Sequence, residues 1–358
     1  MPLAQARVES PQQTPETCTL VDLASTVPHL PMRNARLQST GWCFALAAAD
    51  LLSIKTGVEV SGSALALAYY DHAPILGSDL KSTLRNYGHA WWSHHSLKTT
   101  SKEGGFPERV LETAVRDGFV CSEESFPTQW GDAGEASMKA YLSLLDGVED
   151  AHEEIQELDE EEELDARDPE TCEVRKKVEA ATLLFPRLDL RDLIKVANRS
   201  IRETYLYELS RWGCDAIPLK KKNERYKVRH LDLAKYDDLY SSKTGLIGVR
   251  AIDQQLGKGN PVLIGYPGET LTDPEQALRT SRRLEEVEDT DADHASILIG
   301  RRWNPRANDG KGQCEYQLKN TWGDDCDTYH SSLECSRGIV WVGAELMGDM
   351  IDRVTWLE

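Results

Sequence analysis

The sequence predicts an α+β protein, and three observations carry that expectation. Apolar residues recur at helical spacing through the first third, the last third consists of short runs rich in Val, Ile, Leu and Tyr, and a densely acidic stretch separates the two. With 358 residues the chain exceeds the usual single-domain size and has material for a sizeable core. One large two-lobed domain with an insertion, or two modest domains, are the expected organisations.

Residues 1 to 17, rich in Pro, Gln, Glu and Thr and without hydrophobic periodicity, read as a flexible tail. Residues 43 to 55 (CFALAAADLLSIK) are rich in Ala and Leu, with apolar residues three and four apart and Gly57 just beyond as a stop. That is a buried helix with a cysteine in its first turn. A second helix is predicted over residues 63 to 70, then an irregular aromatic and His-rich piece over 87 to 96. The turn Gly104-Gly105-Phe106-Pro107 precedes a third helix, residues 108 to 116, closing at Gly118.

Residues 128 to 225 form the insertion. Helices are predicted over residues 138 to 145 and 190 to 209, and between them runs AHEEIQELDEEEELDARDPE. So dense a block of like charge repels itself and reads as a surface linker, with a regulatory lid or a docking site for a basic partner as the alternatives. From about residue 226 the periodicity shortens. Strands are predicted over residues 227 to 231, 261 to 266, 295 to 300, 315 to 319 and 338 to 342, with one helix near 244 to 256. The domain plan is thus a tail (1–17), a helical lobe (18–127), the insertion (128–225) and a β-rich lobe (226–358).

Composition excludes some functions. A net charge of −19 argues against a nucleic-acid or anionic-membrane partner, which needs a basic surface to displace counterions. The basic cluster at Lys220 to Lys222, Arg225 and Lys227 reads as an ordinary solvated stretch, with an anion contact as its alternative. No apolar run reaches the roughly 18 residues of a membrane span, and no basic segment followed by an apolar core opens the chain. Three readings stay open: the chain stays in the cytoplasm, leaves by a route that reads no such signal, or stands here without its leader. Eight cysteines are sparse for a disulfide scaffold and form no CxxC pair. Cys314, Cys326, His330 and Cys335 crowd together as a local disulfide, thiols or, less fittingly, a metal site; no metal or cofactor is expected.

Attack on an amide carbonyl by sulfur requires the thiolate, which the positive end of a helix dipole stabilises. Cys43 has that position. Alone, it would read as a small buried hydrophobe opening an Ala-rich helix. Two further signals lie downstream: Asp293-His294-Ala295 at the start of a predicted strand, and Asn320-Thr321-Trp322-Gly323 at the end of another. The order Cys, His, Asn matches one group of thiol hydrolases.

The chain resembles the papain family of cysteine peptidases, peptidase family C1. QSTGWCFALAAADLL is similar to the family's nucleophile segment, Asp293-His294-Ala295 to its histidine segment, and Asn320-Thr321-Trp322-Gly323 to its Asn-Ser-Trp-Gly segment. GGFPERVLETAVRDGFVCSEESFP resembles its Gly-Gly pair, helix and closing Tyr-Pro. The likeness covers about residues 20 to 127 and 226 to 345. It implies a two-lobed fold with a helical left lobe, an antiparallel β-barrel-like right lobe and an active site in the cleft between them.

By that resemblance Cys43 is the nucleophile, His294 its acid/base partner, and Asn320 the residue orienting the imidazole, with Trp322 shielding the contact. Gln38 would supply an oxyanion donor beside the Cys43 N–H, although it stands five residues before the cysteine where the family has six. Gly104 and Gly105 would pair with an extended peptide, and Asp293 would sit beside the substrate. The matching region begins near residue 20, so no long inhibitory propeptide is expected. Thr40, where secreted members often carry a disulfide cysteine, is compatible with a reducing compartment. Other acyl transfers (deamidation, removal of a ubiquitin-like modifier, transpeptidation) begin with the same thioester, and a catalytically silent binding protein of the same fold is the reading from a different class.

Overall fold

The computed structural model describes residues 14–32, 36, 42–72, 105–128, 135–158, 169–221, 224–233, 242–274 and 294–358. The chain divides into two compact units. One gathers residues 1–38, 50–57 and 227–358, the other residues 39–49 and 58–226.

The first unit begins with a short strand, β1 (Val21–Asp22). Helix α1 (Cys43–Thr56) is divided, residues 43–49 grouping with the second unit and residues 50–56 with the first. Its run from Phe44 to Leu52 is buried all round, and every residue of it but Asp50 is apolar.

The second unit is mainly helical. After α2 (Gly62–His72) comes α3 (Pro107–Asp117), which starts with proline at its first turn and stops at Gly118, whose φ of 78° is the left-handed cap glycine adopts easily. Strand β2 (Phe119–Cys121) follows, and then α4 (Glu135–Asp150), α5 (His152–Gln156), α6 (Pro169–Leu184), α7 (Leu190–Ala197) and α8 (Arg202–Trp212). Strand β3 (Ala216–Pro218) pairs antiparallel with β2, and the Cys121–Cys214 disulfide staples the same junction. Residues from the expected insertion therefore fold into the same unit as α2 and α3. The basic cluster begins as a two-stranded ribbon, β4 (Lys220–Lys221) against β5 (Glu224–Arg225).

Two sequence expectations change here. The acidic block is not wholly a linker: its start is α5, because Ala151, His152 and Ile155 are buried and anchor it; residues 159–168 lie outside the described residues. The helix expected over 190 to 209 is two helices. His152 Nε2 lies 3.1 Å from the Ala197 carbonyl and 3.2 Å from that of Ser200, while the Ser200 hydroxyl donates to Val196 O at 2.8 Å. These side chains take up carbonyls at the end of α7, where the helix stops.

The rest of the first unit is an antiparallel sheet on which two helices pack. Its strands are β6 (Val228–Asp232), β7 (Val262–Tyr266), β8 (His294–Asn304), β9 (Gln313–Lys319), β10 (Glu334–Ser336), β11 (Ile339–Gly343) and β12 (Arg353–Leu357). They run in the order β10-β11-β9-β8-β7-β12-β6, with β1 added to β8; among the described residues the end strands β10 and β6 do not pair with each other. Central β7 is buried at all five positions, and a continuous apolar strand of this kind is covered on both faces. Helix α9 (Ser242–Gly257) brings Ile252 and Leu256 into the core with Ile264, Leu298, Tyr316 and Val354. Helix α10 (Ala344–Met350) meets α9 where a Cβ on Gly245 would collide with the backbone of Gly348, so glycine permits the close approach.

Disulfides reach further than the cysteine spacing suggested. Cys18–Cys314 closes 296 residues and ties the N-terminal arm to β9, while Cys326–Cys335 is a local clip. With Cys121–Cys214 they make three bridges among the described residues, which removes the support that Thr40 lent to a reducing compartment. No helix among the described residues is long and apolar enough to cross a membrane.

Candidate active site

His294 is the first residue of β8 and Asn320 follows the last residue of β9. The two strands pair with Ile297 opposite Lys319, so register alone brings their ends together. His294 Nε2 lies 2.6 Å from Asn320 Oδ1, with the histidine 5% exposed and the asparagine 0%. Removed from water, such a bond holds the ring firmly.

The hydrogen bonds around Asn320 settle their own direction. A carbonyl oxygen only accepts, so Tyr329 Oη donates to Gly338 O at 3.2 Å. Tyr329 Oη then accepts from Asn320 Nδ2 at 3.1 Å, and the backbone N–H of Thr321 donates to Asn320 Oδ1 at 2.8 Å. Both place the amide oxygen toward the histidine. Asn320 Oδ1 therefore accepts from His294 Nε2–H, and Nδ1 is the ring nitrogen that carries the lone pair in neutral imidazole. Ser296 Oγ adds a third donor to Asn320 Oδ1 at 3.0 Å and lies 2.8 Å from Tyr266 Oη.

Aromatic rings enclose the pair. Tyr266 stands edge-on to His294 with centroids 5.4 Å apart, Trp322 lies 4.9 Å away on another side, and Tyr329 stacks on Trp322 at 5.6 Å. Burial pushes the Tyr329 phenol up to about 12, against the opposing pull of its hydrogen bond from Asn320.

Cys43 belongs to the second unit. It is 6% exposed, opens the 14-residue α1, and stands outside the disulfides. The Ala45 and Leu46 N–H groups turn back to Trp42 O at 3.0 Å each, which marks the first turn. The positive end of the helix dipole is where a thiolate is favoured. Gly105, in the same unit, lies against Phe44: a Cβ would meet that ring at 2.6 to 2.9 Å, so its lack of a side chain has a packing cause independent of any substrate. Gln38, Gly104 and Asp293 lie outside the described residues.

Among the sequence-derived candidates, His294, Asn320 and Trp322 thus come together within one unit. Tyr329, Ser296 and Tyr266 were not singled out from the sequence. Tyr329 had one available signal, an aromatic residue between two cysteines nine residues apart and shortly after Asn-Thr-Trp-Gly. Cys326 and Cys335 pair with each other, Cys314 pairs with Cys18, and His330 Nδ1 lies 2.8 Å from Ser332 Oγ, so these four do not act as one group.

The arrangement offers a buried, oriented imidazole and, separately, a cysteine at a helix start. Compared with protein-family models and with curated proteins, the chain matches none. Among solved structures it is similar to SERA5E from Plasmodium falciparum, at 12% identity over 90% of this chain and 88% of that one with a TM-score of 0.38. A second structure of the same protein, with loop 690-700 ordered, aligns at 11% identity over 96% and 97% with a TM-score of 0.42. The proform of the ragweed pollen allergen Amb a 11, a cysteine protease, aligns at 12% identity over 98% of this chain and 67% of that one, with a TM-score of 0.38. Likenesses this distant assign the chain neither a family nor an activity.

Proposed function

We propose that the chain is a papain-like cysteine peptidase in which Cys43 attacks the substrate, His294 moves the proton and Asn320 orients His294. The observation that carries this reading is the buried bond from His294 Nε2 to Asn320 Oδ1, joining two residues that the motif order had already paired. The same bond leaves Nδ1 as the proton-transferring nitrogen.

In the proposed cycle His294 Nδ1 takes the Cys43 thiol proton, the resulting thiolate attacks the peptide carbonyl carbon, and the C=O electrons move to oxygen. The Cys43 N–H and the Gln38 amide would stabilise that oxyanion. Collapse expels the amine, which takes its proton from His294 Nδ1, and a thioester remains. Water, deprotonated by the same nitrogen, attacks the thioester to release the carboxylate and regenerate the thiol. Trp322, packed on the imidazole, keeps water from the bond to Asn320. Gly104, Gly105 and Asp293 would border an extended peptide.

A thiol-directed peptidyl epoxide tests this by intact-mass analysis beside cleavage of a mixed peptide library. Expected are one adduct on Cys43, none after Cys43→Ala, adduct formation slowed at least tenfold by His294→Ala, and library cleavage dependent on both residues. Absence of a Cys43 adduct in the unmodified protein would overturn the reading, and an adduct without cleavage would move it to a different acyl acceptor.

A further inference from the structure

We infer that Tyr329 is a positioning residue for the imidazole, acting through the Asn320 amide and held in place by the Cys326–Cys335 disulfide. Three observations point the same way. The phenol sits within a directed chain of hydrogen bonds running from His294 Nε2–H to Asn320 Oδ1 and, across the amide, from Asn320 Nδ2–H through Tyr329 to Gly338 O. Asn320 is fully buried, so water does not readily replace a lost partner of Nδ2. Trp322 contacts both rings, tilted on His294 with centroids 4.9 Å apart and stacked with Tyr329 at 5.6 Å.

The disulfide explains how an irregular segment achieves this. Cys326–Cys335 closes a nine-residue separation around Tyr329; within it the Tyr329 N–H donates to Cys326 O at 3.2 Å, and the His330 N–H donates to Leu271 O at 2.8 Å. The loop is anchored on both sides of the tyrosine. Thr321 N–H holds only the oxygen end of the Asn320 amide, and Tyr329 holds the nitrogen end, so together they fix the amide plane and with it the ring plane of His294.

For turnover the inference rests on the peptidase reading; for the imidazole it does not. The test is Tyr329→Phe in the full chain, which keeps the ring on Trp322 and removes only the hydroxyl. With nitrogen-15-labelled histidine, in a Cys43→Ala background that removes the proposed proton-sharing partner, neutral His294 should be protonated at Nε2. Adding Tyr329→Phe should speed exchange of that proton with solvent roughly tenfold. With Cys43 present, Tyr329→Phe should lower kcat for a cleaved peptide about tenfold while KM stays within about twofold, and should change kcat by less than about twofold when Asn320→Ala is already there. A His294 protonated at Nδ1, an unchanged proton exchange, or a full-sized effect in the Asn320→Ala background would each overturn the assignment. A chain that cleaves no peptide sinks the peptidase reading but leaves the imidazole measurement intact, and the tautomer is measurable even if Tyr329→Phe fails to fold.

Discussion

Asp50 and Lys319 form a buried ion pair within the first unit, at 0% and 1% exposure, and the Arg36 guanidinium meets the other oxygen of the same carboxylate at 2.9 Å. Asp50 lies on α1, two turns beyond Cys43, and Lys319 immediately precedes Asn320. Removing the carboxylate from such a cluster strands buried positive charge. Asp50→Ala should cost about 3–5 kcal/mol of stability, read as a shift of the urea midpoint, and the same loss should appear with or without substrate. A cost below about 1 kcal/mol would mean that the cluster is hydrated.

The Tyr329 phenol gives stability an alkaline signature. Its ordinary value is 10.0, and burial raises it to about 12 in the folded chain. A raised value means that the unfolded chain loses this proton first as pH rises. The contribution is therefore fully present below about pH 10 and is lost between about 10 and 12. Urea midpoints measured from about pH 9 to 11 should fall less steeply in Tyr329→Phe than in the unsubstituted protein. Identical slopes would refute the buried phenol.

Gly105→Ala separates packing from substrate contact. Its new methyl would meet the Phe44 ring at 2.6 to 2.9 Å, and Phe44 is itself 0% exposed. Overpacking of this size costs about 1–3 kcal/mol. The melting temperature should drop in the absence of any peptide, and an unchanged value would return Gly105 to the role of an open binding edge.

Cys121–Cys214 closes 93 residues of the helical unit. Replacing both cysteines with serine should cost about 2–5 kcal/mol in reversible denaturation, chiefly because the unfolded chain regains freedom. Since β2 and β3 still pair beside the bridge, their register should survive, and hydrogen exchange of Val120 should remain slow relative to the loops.

Local signals were legible in the sequence and distant pairings were not. Helices α1 and α3 announced themselves through periodicity, proline and glycine, and His294 and Asn320 through short motifs whose strands then paired. Strand β12 was missed because Val354, Trp356 and Leu357 follow a helix in a tail with little turn punctuation. The burial of Asp50 against Lys319 has no local signature, since each charge alone resembles a solvated one. Cys18 and Cys314 lie 296 residues apart, beyond any spacing rule. Tyr329 had only its place between two cysteines after Asn-Thr-Trp-Gly to mark it, and that spacing does not say that its hydroxyl will meet the Asn320 amide.

The disulfide pattern has an operational side. The proposed chemistry needs Cys43 as a thiol, while Cys326–Cys335 must stay oxidised to hold the loop that carries Tyr329. Those demands bracket the surroundings from opposite directions. Too oxidising a medium caps the nucleophile, and too reducing a one loosens the support behind the imidazole, so turnover should peak at an intermediate thiol-to-disulfide ratio and fall on both sides of it.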